Sequence, residues 1–236
     1  NKHRSNFKFQ ESKKLLSLAW PLIFLSFMGG YGLHIDGTIV LGFGGPLAFL
    51  IFQYGAREFP LSQLLAGGFS ESQALNYKKS GQYNNWYSSQ KSMLLLSFGP
   101  SILLMWSAPS LFERIFGSDF IGSAEVFRLY LLLVIPRMLF PQTLLLAHGK
   151  NRALLLIGVI EWLINIGLSL WWVQSFGMIG VAWATVVAFA IEKILLMAYT
   201  FHVQLPDLEL CLPNRSFYLG ALSLMLSYAA TQIWAW

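Results

Sequence analysis

The chain has 236 residues, of which 56% are hydrophobic and only 11% charged, with a formal net charge of +5. Soluble domains carry about 25% charged residues, so this balance excludes a water-soluble globular domain and points to an integral membrane protein. A single cysteine, Cys211, excludes an intrachain disulfide.

Residues 1–14 form a basic, polar lead-in. Leu15 to Ile35 reads as a first span, with only His34 titratable, and Pro21 fits a first helical turn, which has no intrahelical donors to lose. His34 and Asp36 mark its interfacial edge. Gly42-Phe43-Gly44-Gly45-Pro46 interrupts the chain, and a second span is expected over 47–68, with Arg57 and Glu58 in its middle. Ser70 to Ser92 is polar, basic and aromatic, as an interfacial loop would be. The third span is placed over 93–111, loosened by Pro100 and Pro109. Two apolar hairpins follow between Glu125 and Thr200. The fourth and fifth spans turn at residues 148–152, and the fifth and sixth break at Gln174-Ser175-Phe176-Gly177. From Trp162 to Ile191 no Asp, Glu, Lys or Arg interrupts the sequence. Segments apolar all round and about 20 residues long are bilayer-spanning helices. Residues 201–216 are a polar link, and 217–236 make a seventh apolar run. The expected fold is therefore an all-α, polytopic transmembrane bundle of about seven spans. Its domains are a lead-in (1–14), a six-helix lobe (15–200), a link (201–216) and one further helix (217–236).

Alternation of sides tests that count. Lys2, Arg4, Lys8, Lys13, Lys14, Lys78, Lys79, Lys91, Lys150, Arg152 and Arg215 fall on one side, and Arg114 alone on the other. The positive-inside rule makes the basic side cytoplasmic. A multi-pass protein of the cytoplasmic (inner) membrane with its N-terminus in the cytoplasm is expected. The basic excess thus follows topology, and nucleic acid is not an expected partner.

No phosphate-binding Gly-rich loop, HExxH or GxSxG motif is present, and the four histidines are scattered at span ends and loops. No cofactor or metal is expected, and an enzyme is the weaker class. The informative residues are charges inside spans, which normally face a partner or a water-filled cavity. Arg137 and Glu161 lie equally far from Gly149 in the turn. In an antiparallel pair both would sit on the order of 15 Å below it, near mid-bilayer. They form either a structural clasp or part of a cavity. Asn165 stands one turn beyond Glu161 on the same face. Arg57 and Arg137 are the candidates for gripping an anionic headgroup, because guanidinium matches phosphate oxygens bidentately and stays charged when buried. Glu58 and Glu161 would balance that charge, and Glu161 could take up a proton. Lys193 is expected to snorkel to the interface with Glu192 beside it, and Arg128 to anchor the outer end. Trp20, Trp86, Trp171, Trp172, Trp234 and Trp236 are expected in an aromatic belt.

The order of these pieces resembles the polysaccharide (O-antigen) flippases of the multidrug/oligosaccharidyl-lipid/polysaccharide exporter superfamily, specifically their C-terminal lobe. The likeness is carried by Trp20-Pro21, His34-Ile35-Asp36, the LGFGGPLAF step and LFERIFGSDFIGSAEVFRLYLLLVIP. Its strongest part is LLAHGKNRALLLIGVIEWLINIGLSLWWVQSFGMIGVAWATVVAFAIEK, where Gly149, Lys150, Asn165, Gly177, Gly180, Ala182 and Ala184 stand at matching places. The resemblance implies one lobe of a two-lobe transporter that moves a polyprenyl-pyrophosphate-linked oligosaccharide between leaflets through a central cationic cavity. A full member has about twice as many spans. The chain is accordingly expected to be a fragment, a remnant, or a half-size protein that meets its N-terminal lobe in cis or a second copy or chain in trans, amid membrane lipids. Three alternatives stay open: a cation-coupled multidrug exporter lobe of the same superfamily, a non-transporting membrane scaffold subunit, and a membrane-embedded polymerase or acyltransferase.

Overall fold

Two long helices that fold back on themselves set the architecture. A computed structural model describes the backbone of residues 2–83 and 85–233, and the side chains of Leu16, of residues 19–27 and of those from 34 onward within that backbone. The elements in order are α1 (Lys2–Gly55), α2 (Pro60–Ser80), α3 (Trp86–Phe116), a 3₁₀ turn (Ser118–Phe120), α4 (Ile121–Leu131), α5 (Val134–Arg137), α6 (Pro141–Ala147), α7 (Asn151–His202), a second 3₁₀ turn (Leu208–Cys211) and α8 (Arg215–Ile233). No strand occurs among the described residues.

A straight helix of α7's 52 residues would be about 78 Å long, far beyond a hydrocarbon core of about 30 Å. It does not run straight. Gly177 leaves helical geometry at φ 56, ψ −141, and residues 172 and 180 come into contact across the bend. α1 does the same at Gly45 (φ 77, ψ −178), which brings Gly37 against Phe49 and Gln53. Both positions need a backbone conformation that only glycine adopts without cost. Each long helix is thus a tight hairpin, with arms 2–44 and 46–55 in α1 and 151–176 and 178–202 in α7.

The expected spans map onto these arms with corrections. By length and composition alone His34–Gly55, Trp86–Phe116 and Asn151–His202 are each sufficient to cross a membrane, and Ser118–Arg137 with Pro141–Ala147, bent by 49°, form either a broken fourth span or a re-entrant loop. The predicted second span over 47–68 is divided. Its chain leaves helix at residues 56–59, so Arg57 and Glu58 sit in a break and not mid-helix. Pro60 explains the restart, since a proline fits a first turn. The expected loop over 70–92 is mostly helical: α2 runs on to Ser80, and α3 begins early at Trp86. The predicted fourth span is broken near Pro136 and Pro141, each of which lacks a donor for the helical ladder. Residues 234–236, with Trp234 and Trp236, lie outside the described ones.

α1 packs chiefly on α7, α3 lies against α4 and α8, and α6 bridges α2 and α7. The broken α4–α6 segment fills the centre, where Leu129, Tyr130, Leu131, Leu133 and Met138 are fully buried. Leu95, Leu103, Leu163, Trp171 and Leu222 point outward, an apolar exterior suited to lipid. Two polar expectations fail here. Arg128 is buried, donating from Nε to the Met105 carbonyl oxygen at 2.9 Å, and is no outer anchor. Trp86 is packed inside against Phe69 and Tyr83, away from any belt.

The hairpin in α7 is tight enough to be tested. A Cβ on Gly180 would come within 2.5 Å of the Trp172 carbonyl oxygen, whereas one on Gly167 meets nothing within 4 Å. Gly180→Val should therefore lower stability by about 1–3 kcal/mol in a detergent unfolding titration, and Gly167→Val should change it far less.

Candidate functional site

Two polar clusters form where the folded arms meet. The first is centred on Asp36, which is only 2% exposed. Thr185 Oγ1 donates to its Oδ2 at 2.9 Å, Asn165 Nδ2 to Oδ2 at 3.4 Å, and Ser169 Oγ lies 3.4 Å from its Oδ1. Ser169 Oγ also lies 3.0 Å from Asn165 Oδ1. The geometry follows from the bend. Ser169 and Thr185 are equally far from Gly177 in sequence, so a hairpin about that glycine puts them at one depth on facing arms. Asn165 and Ser169 are four residues apart and share a helix face. One carboxylate thereby joins the first arm of α1 to both arms of α7. Asp36 is not the interfacial edge expected of it.

The second cluster surrounds a cavity of about 300 Å³ between α2, the α5–α6 break, both arms of α7 and the first arm of α1. Arg137, at the end of α5, pairs through Nη2 with Glu58 Oε2. Gln63 Nε2 donates to the same Glu58 oxygen at 2.6 Å. The Arg137 guanidinium also lies 5.2 Å from the centre of the Phe189 ring, and Lys193 Nζ lies 5.0 Å from that centre. Cation–π attraction thus holds two positive groups around one aromatic ring. Lys193 Nζ reaches Glu192 Oε2 at 3.1 Å and Gln142 Oε1 at 3.2 Å. At 5% exposure it is buried in the cavity wall and does not snorkel to an interface.

Of the residues singled out from sequence, the structure brings Arg137 and Glu58 together. Arg57, although adjacent to Glu58, is exposed and does not line the cavity. The Arg137–Glu161 clasp, one of the two readings left open for that pair, does not form: the helical break at 56–59 places Glu58 on Arg137 instead. Glu161 is half-buried on the first arm of α7. Asn165 belongs with Asp36. Sequence reasoning overlooked Ser169, Thr185, Gln63, Gln142 and Phe189 as site residues and misplaced Asp36 and Lys193. The usable signal was the Gly177 break, about which Ser169 and Thr185 are mirror positions.

Chemically, the cavity can hold an anion. Arg137 keeps a second donor, Nε, buried without an acceptor among the described residues. Lys193 has three donors, one of them hydrogen-bonded to Gln142, and forms an ion pair with Glu192. The Asp36 cluster is a different instrument: a buried acid amid hydroxyl and amide groups, a set of oxygens suited to a proton or a small hard cation.

No protein-family model matches the chain, and no curated protein matches it. Among solved structures, it resembles a MOP superfamily transporter from Pyrococcus furiosus Vc1, described as having a binding pocket of reversed polarity that suggests a different function. The TM-score is 0.60 at 18% identity, over 90% of this chain and 51% of that one. The chain spans about half the length of this neighbour. The likeness shows the fold, an all-helical bundle of the kind found in half of a MOP transporter.

The pairing of Arg137 is open to a double-mutant cycle. Arg137→Ala and Glu58→Gln should each destabilise the protein, with a coupling of about 1–3 kcal/mol between them in a detergent unfolding titration. The corresponding cycle for Arg137 and Glu161 should be additive within about 0.5 kcal/mol.

Proposed function

We propose that this chain is one lobe of a membrane transporter whose cargo is an anionic amphipath of the polyprenyl-pyrophosphate-linked oligosaccharide class. It would work in the cytoplasmic membrane, N-terminus inside, with a second lobe supplied in cis or in trans, and without enzymatic turnover. The observation that carries this reading is the placing of Arg137 and Lys193 around Phe189 at one cavity between helices. Buried cations at a cavity are costly unless they serve a ligand or are matched internally. Here they are matched, by Glu58 and by Glu192, and still border open space. The leucines that share the cavity wall give an acyl or prenyl chain an apolar surface beside the headgroup.

The test is binding of a polyprenyl-pyrophosphate-linked disaccharide to the purified chain in nanodiscs, read by native mass spectrometry. Arg137→Ala and Lys193→Ala should each weaken binding about tenfold or more, which corresponds to roughly 1.4 kcal/mol. Arg57→Ala should leave it unchanged. Equal affinity for the matching polyprenyl glycoside without pyrophosphate would sink the anion reading.

A second reading, a cation-coupled exporter lobe, draws on the Asp36 cluster, because the cavity's cations give no account of it. The two are compatible if Asp36 serves coupling and the cavity serves cargo. Asp36→Asn should then leave cargo binding within about twofold of wild type while abolishing any dependence on a sodium or proton gradient in reconstituted vesicles.

A further inference from the structure

The chain carries two intramembrane charges that it does not match within itself. Arg137 is paired with Glu58, and Lys193 with Glu192. Arg128 is buried on the Met105 carbonyl oxygen, and Asp36 is held by Thr185, Asn165 and Ser169. Arg57 and Glu161 remain, one exposed and the other half-buried. Neither enters a hydrogen bond through its side chain, or an ion pair, among the described residues. We propose that a second copy of the chain docks here, with Arg57 of each copy paired to the partner's Glu161.

The two residues lie at compatible depths. Asp36 bonds Ser169 and Thr185 on either side of Gly177, which holds the Gly45 and Gly177 turns near one level. Residues 46–55 descend about 15 Å from the first turn, and Arg57 lies just below them. Residues 161–176 put Glu161 about 24 Å below the second. Both fall inside a hydrocarbon core of about 30 Å, and the flexible arginine stem spans the step between them.

An exposed guanidinium at that depth is costly against acyl chains and normally meets a carboxylate or water. A half-exposed carboxylate at similar depth has the opposite need. One unmatched cation and one unmatched anion on a single chain are what a two-fold axis satisfies, since residue i then meets j and j meets i. An unlike partner would have to bring both charges, each at the right depth.

The surface next to Arg57 is suited to such a contact. α2 packs chiefly on α6, α3 and α5, and leaves Leu61, Leu64, Gly68 and Leu75 exposed at helical spacing. A Cβ on Gly67 or Gly68 meets nothing within 4 Å, so the backbone there is open to a neighbour. Small residues permit the close approach by which helices associate in lipid. Two copies also match the length of the transporter neighbour, of which one chain spans 51%. The inference does not depend on the cargo.

The test is single-molecule photobleaching of the fluorescently tagged full chain in phosphatidylcholine vesicles, followed over a dilution series in lipid. Two-step bleaching should dominate at high density and give way to single steps on dilution. Arg57→Glu and Glu161→Arg should each weaken pairing about tenfold or more. Combined in one chain, or mixed as two differently coloured single variants, they should restore it to within about threefold of wild type. Gly68→Leu, at a position open to its own chain, should weaken pairing about tenfold. If Glu161→Arg does not fold, the neutral pair decides: Arg57→Gln and Glu161→Gln should each weaken pairing, and together no further than either alone. Single-step bleaching at every density overturns the proposal. Dimers indifferent to both reversals, or reversals that do not rescue one another, overturn it as well. Binding of the pyrophosphate-linked lipid is a separate measurement, so the transport reading can fail while this pairing stands.

Discussion

The structure depends on one carboxylate held away from water. Asp36 is tied by hydroxyl and amide groups to both arms of α7, and those bonds exist only because α7 folds at Gly177. In hydrocarbon an unsatisfied polar group costs several kcal/mol, so the acid and its donors constrain one another strongly. Helix association in lipid has little hydrophobic drive, and close packing with polar cross-links takes its place. Asp36 supplies the cross-link, and Gly180 with Ala184 supplies the close approach within the same hairpin.

The cavity is built from discontinuities. Glu58 stands in the break between α1 and α2, and Arg137 ends a short helix interrupted by prolines. Backbone groups freed at such breaks must find partners inside the protein, so non-helical chain at membrane depth belongs in the interior or beside a cavity. Turn bonds answer part of that demand: the Arg57 N–H donates to the Gly55 carbonyl oxygen at 2.7 Å, and the Met138 N–H to the Val134 carbonyl oxygen at 3.1 Å. Neighbouring ties hold the same region: Ser70 bonds Thr143 between α2 and α6, and Ser123 donates to the Ile51 carbonyl oxygen at 2.7 Å between α4 and α1.

Much of the bundle was legible because hydrophobic length and sparse charge are direct consequences of the bilayer. Arg137 and Glu58 could be singled out for the same reason: an ion in an apolar run has few innocent explanations. Their pairing could not be read, since it depends on a helical break at residues 56–59 that apolar text around Arg57 disguises. Arg57 and Glu58 are adjacent in sequence, yet one is exposed and the other is half-buried against Arg137, a difference only backbone direction decides. Lys193 was misjudged on a general habit of lysines near span ends. Its burial follows from Gln142 and Phe189, which arrive from distant sequence. Asp36 was taken for an edge because the turn at Gly45 was read as a loop after it, when the first arm runs on to residue 44.

On the transport reading proposed above, the internal matching of the two cavity cations bears on how a carrier could both hold and release cargo. An arginine and a lysine buried without counter-charges would bind an anionic headgroup so well that release would limit turnover, and the empty site would be strongly destabilised. With Glu58 on Arg137 and Glu192 on Lys193, an incoming anion must share or displace a carboxylate at each cation. The net gain on binding is then the difference between two comparable pairings. Such a balance keeps the empty and loaded states close in free energy, and an equilibrium so poised can be tipped by a modest coupling.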